Sequence, residues 1–152
     1  MGMGNDEPLA QGATAAEHDE LLQFWSARAN RFPDVKMGMT LLIGGTWISG
    51  NLISGEVFFE KSAAQFDGAA QAATSDIGGF LRSWGAETYS NADPTGDLVE
   101  DPNYPPPMYL HLDDVYRLSE LNGPVLQMNM LLRAKISSVE AWSWGSIALP
   151  RF

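Results

Sequence analysis

Between Val35 and Ile43 the chain alternates, with Val35, Met37, Met39, Leu41 and Ile43 apolar and in phase. A period of two is that of a β-strand with one buried face. Gly44-Gly45 follows, a pair able to take the positive φ angles of a two-residue hairpin turn. The next strand, Thr46 to Ser54, carries Gly50 in its interior, where a glycine permits sharp bending or close backbone approach. The same period returns at Met108–Leu118, with Leu110 and Leu112 on one face and Tyr109, His111 and Asp113 on the other. Asn122-Gly123-Pro124 reads as a turn, and Val125–Ala134 alternates again. There Leu126, Met128, Met130 and Leu132 are expected inward, and Gln127, Asn129 and Arg133 outward. A last strand, Ile136–Ser143, follows almost at once. Five mostly short strands fit a bent sheet or small barrel, whose closure removes exposed edges.

A helical period governs two other stretches. Thr14 with Glu17 reads as a capping box, and acids at Glu17, Asp19 and Glu20 suit the positive end of a helix. Leu21, Leu22, Phe24, Trp25 and Ala29 then mark a broad apolar face, and Pro33 ends the helix. This helix is expected to lie on the sheet with Trp25 as its main contact. Glu56 to Trp84 reads as helix or helix-loop-helix. One apolar set is Phe58, Phe59, Ala63 and Phe66; the other is Ile77, Phe80, Leu81 and Trp84. Gly68 is a candidate break, and Gly78-Gly79 weakens the regularity of the second part. Residues 85–107 carry acids, prolines and turn residues and read as a long mobile loop, extended at Pro105-Pro106-Pro107. The expected organisation is a disordered N-terminus at 1–13 and a single domain at 14–152, with an insertion at 56–107.

Charge narrows the function classes. Nineteen acids against nine Lys and Arg give a net charge of −10. Nucleic-acid binding gains most of its affinity by neutralising phosphates, so this balance argues against it and against anionic membrane surfaces. Only 18% of residues are charged, below the usual quarter, as expected where a partner or another copy covers some of the surface. The absence of cysteine removes disulfide scaffolds, thiolate metal sites and cysteine nucleophiles. The acidic N-terminus is unlike a signal peptide, and no stretch approaches the ~18 apolar residues of a membrane span. A cytoplasmic protein is expected.

No catalytic constellation stands out. His18 lies among acids in the first helical turn and reads as solvated. His111, with Asp113 and Asp114, is the best local cluster, since His111 and Asp113 share a strand face. That geometry admits a metal or proton-transfer pair, but no further ligands are suitably spaced, and a polar outer strand face or an oligomer contact is the plainer reading. There is no GxSxG elbow, P-loop or dinucleotide fingerprint. Asp93, Asp97, Glu100 and Asp101 lack the spacing of a calcium loop. No cofactor or metal is expected. Of the tryptophans, Trp47 is expected in the core, whereas Trp142 and Trp144 share one strand phase and suit core or interface equally.

Two resemblances emerge from these segments. Gly45 and Gly50 followed by Leu52, with LLRAKISSVEAW at 131–142, resemble the two motifs of the Sm-like barrel, Ala134 standing where that motif has glycine. Element order agrees: a helix, two strands, then three more. The Asp and Asn that follow the first motif and form the RNA pocket have no counterpart, because Glu56 begins the insertion. More narrowly, ISGNLISGEVFFE (48–60), YLHLDDV (109–115) and LLRAKISSVEAWSWGSI (131–147) are similar to the gas vesicle accessory protein U (GvpU) family. The fold implied is α+β, mainly β: a small five-stranded Sm-like bent barrel with an N-terminal helix and a helical insertion between strands 2 and 3. The function implied is that of a non-enzymatic gas vesicle accessory protein. It would bind itself, as a homo-oligomer, and vesicle shell or other accessory proteins, with no nucleic acid or membrane partner. Candidate interface residues are Tyr109, His111 and Tyr116 on the third strand and Arg133, Trp142 and Trp144 near the last hairpin. The alternative implied by the wider resemblance is an Sm-like RNA-binding ring protein.

Overall fold

The computed structural model describes residues 19–67, 72–89, 105–119, 123–126 and 130–146. Its sheet grows from the glycine-glycine hairpin. Strands β1 (Met37–Ile43) and β2 (Thr46–Ile53) run antiparallel, with Ile43 opposite Thr46. Gly44 and Gly45 between them have φ of 57° and 75°, the pair of positive angles that matches a two-residue turn to the strand twist. Met39, Leu41 and Leu52 are fully buried on one face. Trp47 falls in the opposite phase, beside Leu42, and is 41% exposed, which corrects its expected place in the core.

Strand β3 (Tyr109–Ser119) pairs with β2 after a long excursion of the chain. Its register slips between Ser49 and Asn51, where Asp114 on β3 takes φ of 49° and forms a bulge. The bulge switches the phase of the strand. Leu110 and Leu112 face the core before it, Val115 does so after it, and Tyr116 joins the outer face opposite Ser49. Gly50 lies across from the bulge; a Cβ there would stand 2.9 Å from the Asp113 carbonyl oxygen. Close backbone approach, rather than bending alone, therefore explains this glycine. Gly50→Ala is expected to cost about 1–3 kcal/mol, read from the midpoint of a urea unfolding curve.

The fourth strand is divided. β4 (Gly123–Leu126) pairs with the second half of β3, and β5 (Leu132–Lys135) with the first. Leu112 lies opposite Leu132 and Tyr116 opposite Leu126, so three residues of β3 match five on the other side. This corrects the single regular strand expected over Val125–Ala134. Gly123 and Pro124 pair within β4 instead of forming the turn, and Met130 is 37% exposed instead of inward. Asn122, Gln127, Met128 and Asn129 lie outside the described residues. A 3₁₀ turn (Ile136–Ser138) leads into β6 (Val139–Trp144), which returns to β1. The strand order is β4-β3-β2-β1-β6 with β5 also on β3, five antiparallel strands in a curled half-barrel once β4 and β5 count as one.

Helices cover both faces. Helix α1 (Glu20–Arg31) is capped by Asp19, whose side chain accepts a hydrogen bond from the Leu22 backbone N–H at 2.9 Å. Leu22 and Ala29 are its fully buried apolar residues, packed with Met39, Leu41, Leu52, Leu110 and Leu112, and Trp25 packs against the same cluster while only partly buried. Thr14, Glu17 and His18 lie outside the described residues. On the other face stand α2 (Gly55–Ala64), capped by Ser54, and α3 (Ala72–Tyr89). α3 runs through Gly78-Gly79 and on to Tyr89, so residues 85–89 are helical rather than part of the expected loop, and residues 90–104 lie outside the described residues. Packing makes this helix regular. A Cβ on Gly85 would meet the Phe59 Cβ at 2.5 Å, and one on Gly78 the Ala63 carbonyl oxygen at 3.4 Å, so the helices approach closely at these two glycines. No described helix is long and apolar enough to cross a membrane.

Candidate functional site

The outer face of β3 carries the chain's best chemical cluster, and the α2–α3 hairpin covers it. Side chains at 109, 111 and 113 alternate onto this face as the sequence indicates, yet His111 is 0% exposed and Asp113 only 1%. The expectation of a polar outer face fails at these two positions. Period-two alternation separates two faces; it does not say that a helical insertion lies on the second. That insertion contributes Phe58, Phe59, Trp84 and Tyr89, which join Ile53 in an apolar cluster distinct from the main core.

His111 sits inside this ring cluster. Its imidazole centroid is 4.8 Å from Phe58, 5.3 Å from Tyr89 and 6.0 Å from Phe59. Neither ring nitrogen has a hydrogen-bond partner among the described residues. Burial, and then the positive charge of Arg133 on the neighbouring strand, push its pKa down to about 3. His111 is therefore a neutral, desolvated ring that no protein partner can reach, which removes it as a surface contact. Among the described residues no group of three or more His, Asp or Glu could hold a metal ion.

Asp113 is treated differently. Lys36, just before β1, and Lys61, on α2, both donate to its Oδ2, at 2.8 Å and 2.5 Å. Burial raises the Asp113 carboxyl, but the hydrogen bonds and charges of the two lysines outweigh it, and the carboxyl ends below its ordinary value. Oδ1 has no partner among the described residues. This three-residue link ties the insertion to the sheet, and periodicity alone gave no sign of it, since Lys36, Lys61 and Asp113 are far apart in sequence.

Arg133 marks the rim of the covered face. It stands opposite His111 in the β3–β5 register, and its guanidinium lies 3.8 Å from the Tyr109 ring centre, with Trp84 at 5.2 Å and Phe59 at 5.8 Å. Tyr109 and Tyr116 are half-buried. The remaining pair lies at the opposite edge of the sheet. Trp142 is half-buried and donates from Nε1 to Asp19 Oδ2 at 2.7 Å; Trp144 is 46% exposed and stacks edge-on against both Trp25 and Trp142. One tryptophan thus fastens α1 to β6 and the other presents its surface. The six expected interface residues fall at two places: Tyr109, His111, Tyr116 and Arg133 on β3 and β5, Trp142 and Trp144 on β6. Elsewhere, Leu21, Ile77 and Phe80 add exposed apolar area, Phe80 at 66%.

Comparison with protein families finds that the family described as gas vesicle protein GvpU-like matches residues 19–147. Comparison with curated proteins and with solved structures finds no match.

Proposed function

We propose, from the premise that the chain belongs to the gas vesicle protein GvpU-like family, that it acts without catalysis, by associating with itself and with the vesicle shell or other accessory proteins. The role the family implies is that of a gas vesicle accessory protein. The carrying observation is the extent of the match, which spans both helical units and every strand of the half-barrel. The surface supports a binding role. Trp144 on the edge strand β6, Leu21 on α1, Trp47 at the first hairpin, and Ile77 and Phe80 on α3 are exposed apolar residues. Several weak contacts on one chain multiply into avidity when a partner presents repeated sites, as a polymeric shell does. Assembly or clustering of vesicles in the cytoplasm is the outcome this mechanism serves.

Flotation tests the reading. Purified protein mixed with gas vesicles is expected to rise with the buoyant layer, and Trp144→Ala to reduce the amount recovered there several-fold. Absence of the protein from that layer would overturn the proposal. The alternative, an RNA-binding ring, is expected to fail a gel shift with oligo-U at moderate salt, given the net charge of −10.

A further inference from the structure

We propose that Arg133 and Lys135 form a docking site for an extended acidic segment of a partner protein, with carboxylates two residues apart. This rests on the protein-binding reading above and deepens it by naming the partner's chemistry. β5 presents Arg133 and Lys135 on its exposed face, while Ala134 between them is buried. Their cross-strand neighbours are His111 and Tyr109, neither of them an acid. Among the described residues Lys36, Lys61 and Arg82 are engaged by carboxylates, whereas Arg28, Arg117, Arg133 and Lys135 have no ion pair, and of these four only Arg133 and Lys135 stand together on one strand. In a chain with nineteen acids and nine Lys and Arg, two unneutralised cations side by side on one strand are an exception.

Arg133 is also held in place before anything binds. Tyr109, at 3.8 Å, engages the guanidinium beside Trp84 and Phe59. Ring contacts use the face of a guanidinium and leave the in-plane N–H groups free, the geometry that takes a carboxylate through two parallel hydrogen bonds. Fixing the side chain in advance lowers the ordering cost of binding. Among the described residues β5 pairs only with β3 and none occupies its other edge, where an extended chain would meet backbone groups. Alternate residues of such a chain share a face about 7 Å apart, the spacing at which Arg133 and Lys135 themselves stand.

The test is fluorescence anisotropy of a labelled eight-residue peptide of alternating glutamate and threonine, titrated with the full chain at low salt. Saturable binding that weakens toward about 0.5 M salt is expected. Arg133→Ala should weaken it roughly tenfold and Lys135→Ala about threefold. Arg133→Lys, which keeps the charge but loses the fork, should fall near Arg133→Ala, and a peptide with its glutamates contiguous should bind more weakly. Thermal melts that match the parent show that the variants remain folded. The proposal is overturned if the peptide does not saturate, if a lysine-threonine peptide binds equally, or if Arg133→Lys binds like the parent. It also falls if Arg133→Ala with Lys135→Ala changes the oligomeric state in sedimentation, since the occupant is then a second copy. Peptide binding without flotation on vesicles would sink the accessory reading alone; flotation without peptide binding would sink this site alone.

Discussion

Lys36→Ala combined with Lys61→Ala is expected to lower the unfolding free energy by about 3 kcal/mol or more at neutral pH, more than the sum of the single changes. Asp113 is 1% exposed, and its two lysines supply all the hydrogen bonds of its carboxylate among the described residues. Either lysine alone still compensates the carboxylate, and each is about half exposed, so a single removal should cost only about 1 kcal/mol. Removing both leaves a buried charge with no partner. Alanine is a good helix residue, so the loss at Lys61 cannot be ascribed to α2 itself.

The pH dependence of the double variant separates this account from general damage. In the parent the Asp113 carboxyl is held below its ordinary value, so the unfolded chain binds more protons in acid and stability falls as pH drops through that range. Without the lysines only the burial cost remains and the carboxyl rises, so its protonation in mild acid should offset the loss that His111 imposes on parent and variant alike. Urea unfolding of both proteins at a series of pH values should show acid costing the double variant less stability than it costs the parent. Additive single losses, or an unchanged acid limb, would show that the lysines do not compensate Asp113.

His111→Phe is the second large effect and runs the other way. The ring pocket of Phe58, Phe59 and Tyr89 already excludes water, and the imidazole brings two nitrogens without partners. Replacing it with an apolar ring should raise stability by about 1–3 kcal/mol at neutral pH. His111→Leu is the companion that tests whether any shortfall comes from overpacking. In the parent, the folded pKa of about 3 lies below the ordinary histidine value of 6.5, so unfolding takes up a proton throughout that window. Stability should therefore fall by about 1.4 kcal/mol for each pH unit from 6.5 toward 3. The variants should lack this slope. A histidine whose proton signals titrate near 6.5 in the folded protein would contradict the burial argument.

Much of the sheet was legible because its local chemistry agrees with its global pairing. The alternation from Met37 to Ile43, the turn at Gly44-Gly45 and the glycine at position 50 each led to the observed strand or contact. What failed failed for identifiable reasons. His111 and Asp113 looked exposed because a strand covered on both faces still alternates when one of those faces accepts polar residues. Trp47 looked like core because size and apolarity speak for burial, while the phase set by Leu41 and Leu52 spoke against it. The bulge at Asp114 gave no composition signal, although it brings Tyr116 onto the outer face. Arg133 was singled out correctly as outward-facing, but its platform of Tyr109, Trp84 and Phe59 draws on three separate segments.

The placement of the helical insertion also governs how the chain can fold. β1 and β2 meet across two residues, whereas β2 and β3 pair only after residues 54–108 have been brought round. The first hairpin can therefore form early at little entropic cost, and the central pairing of the sheet must wait for a long closure. Closure entropy grows only with the logarithm of length, about 0.6 kcal/mol for each doubling, so the final stability tolerates a longer excursion far better than the folding rate does. Apolar contacts from α2, which begins two residues after β2 ends, shorten that search, because the helix carries Phe58 and Phe59 to the place where His111 must arrive. The insertion then acts as a guide for strand pairing as well as a cover for the sheet.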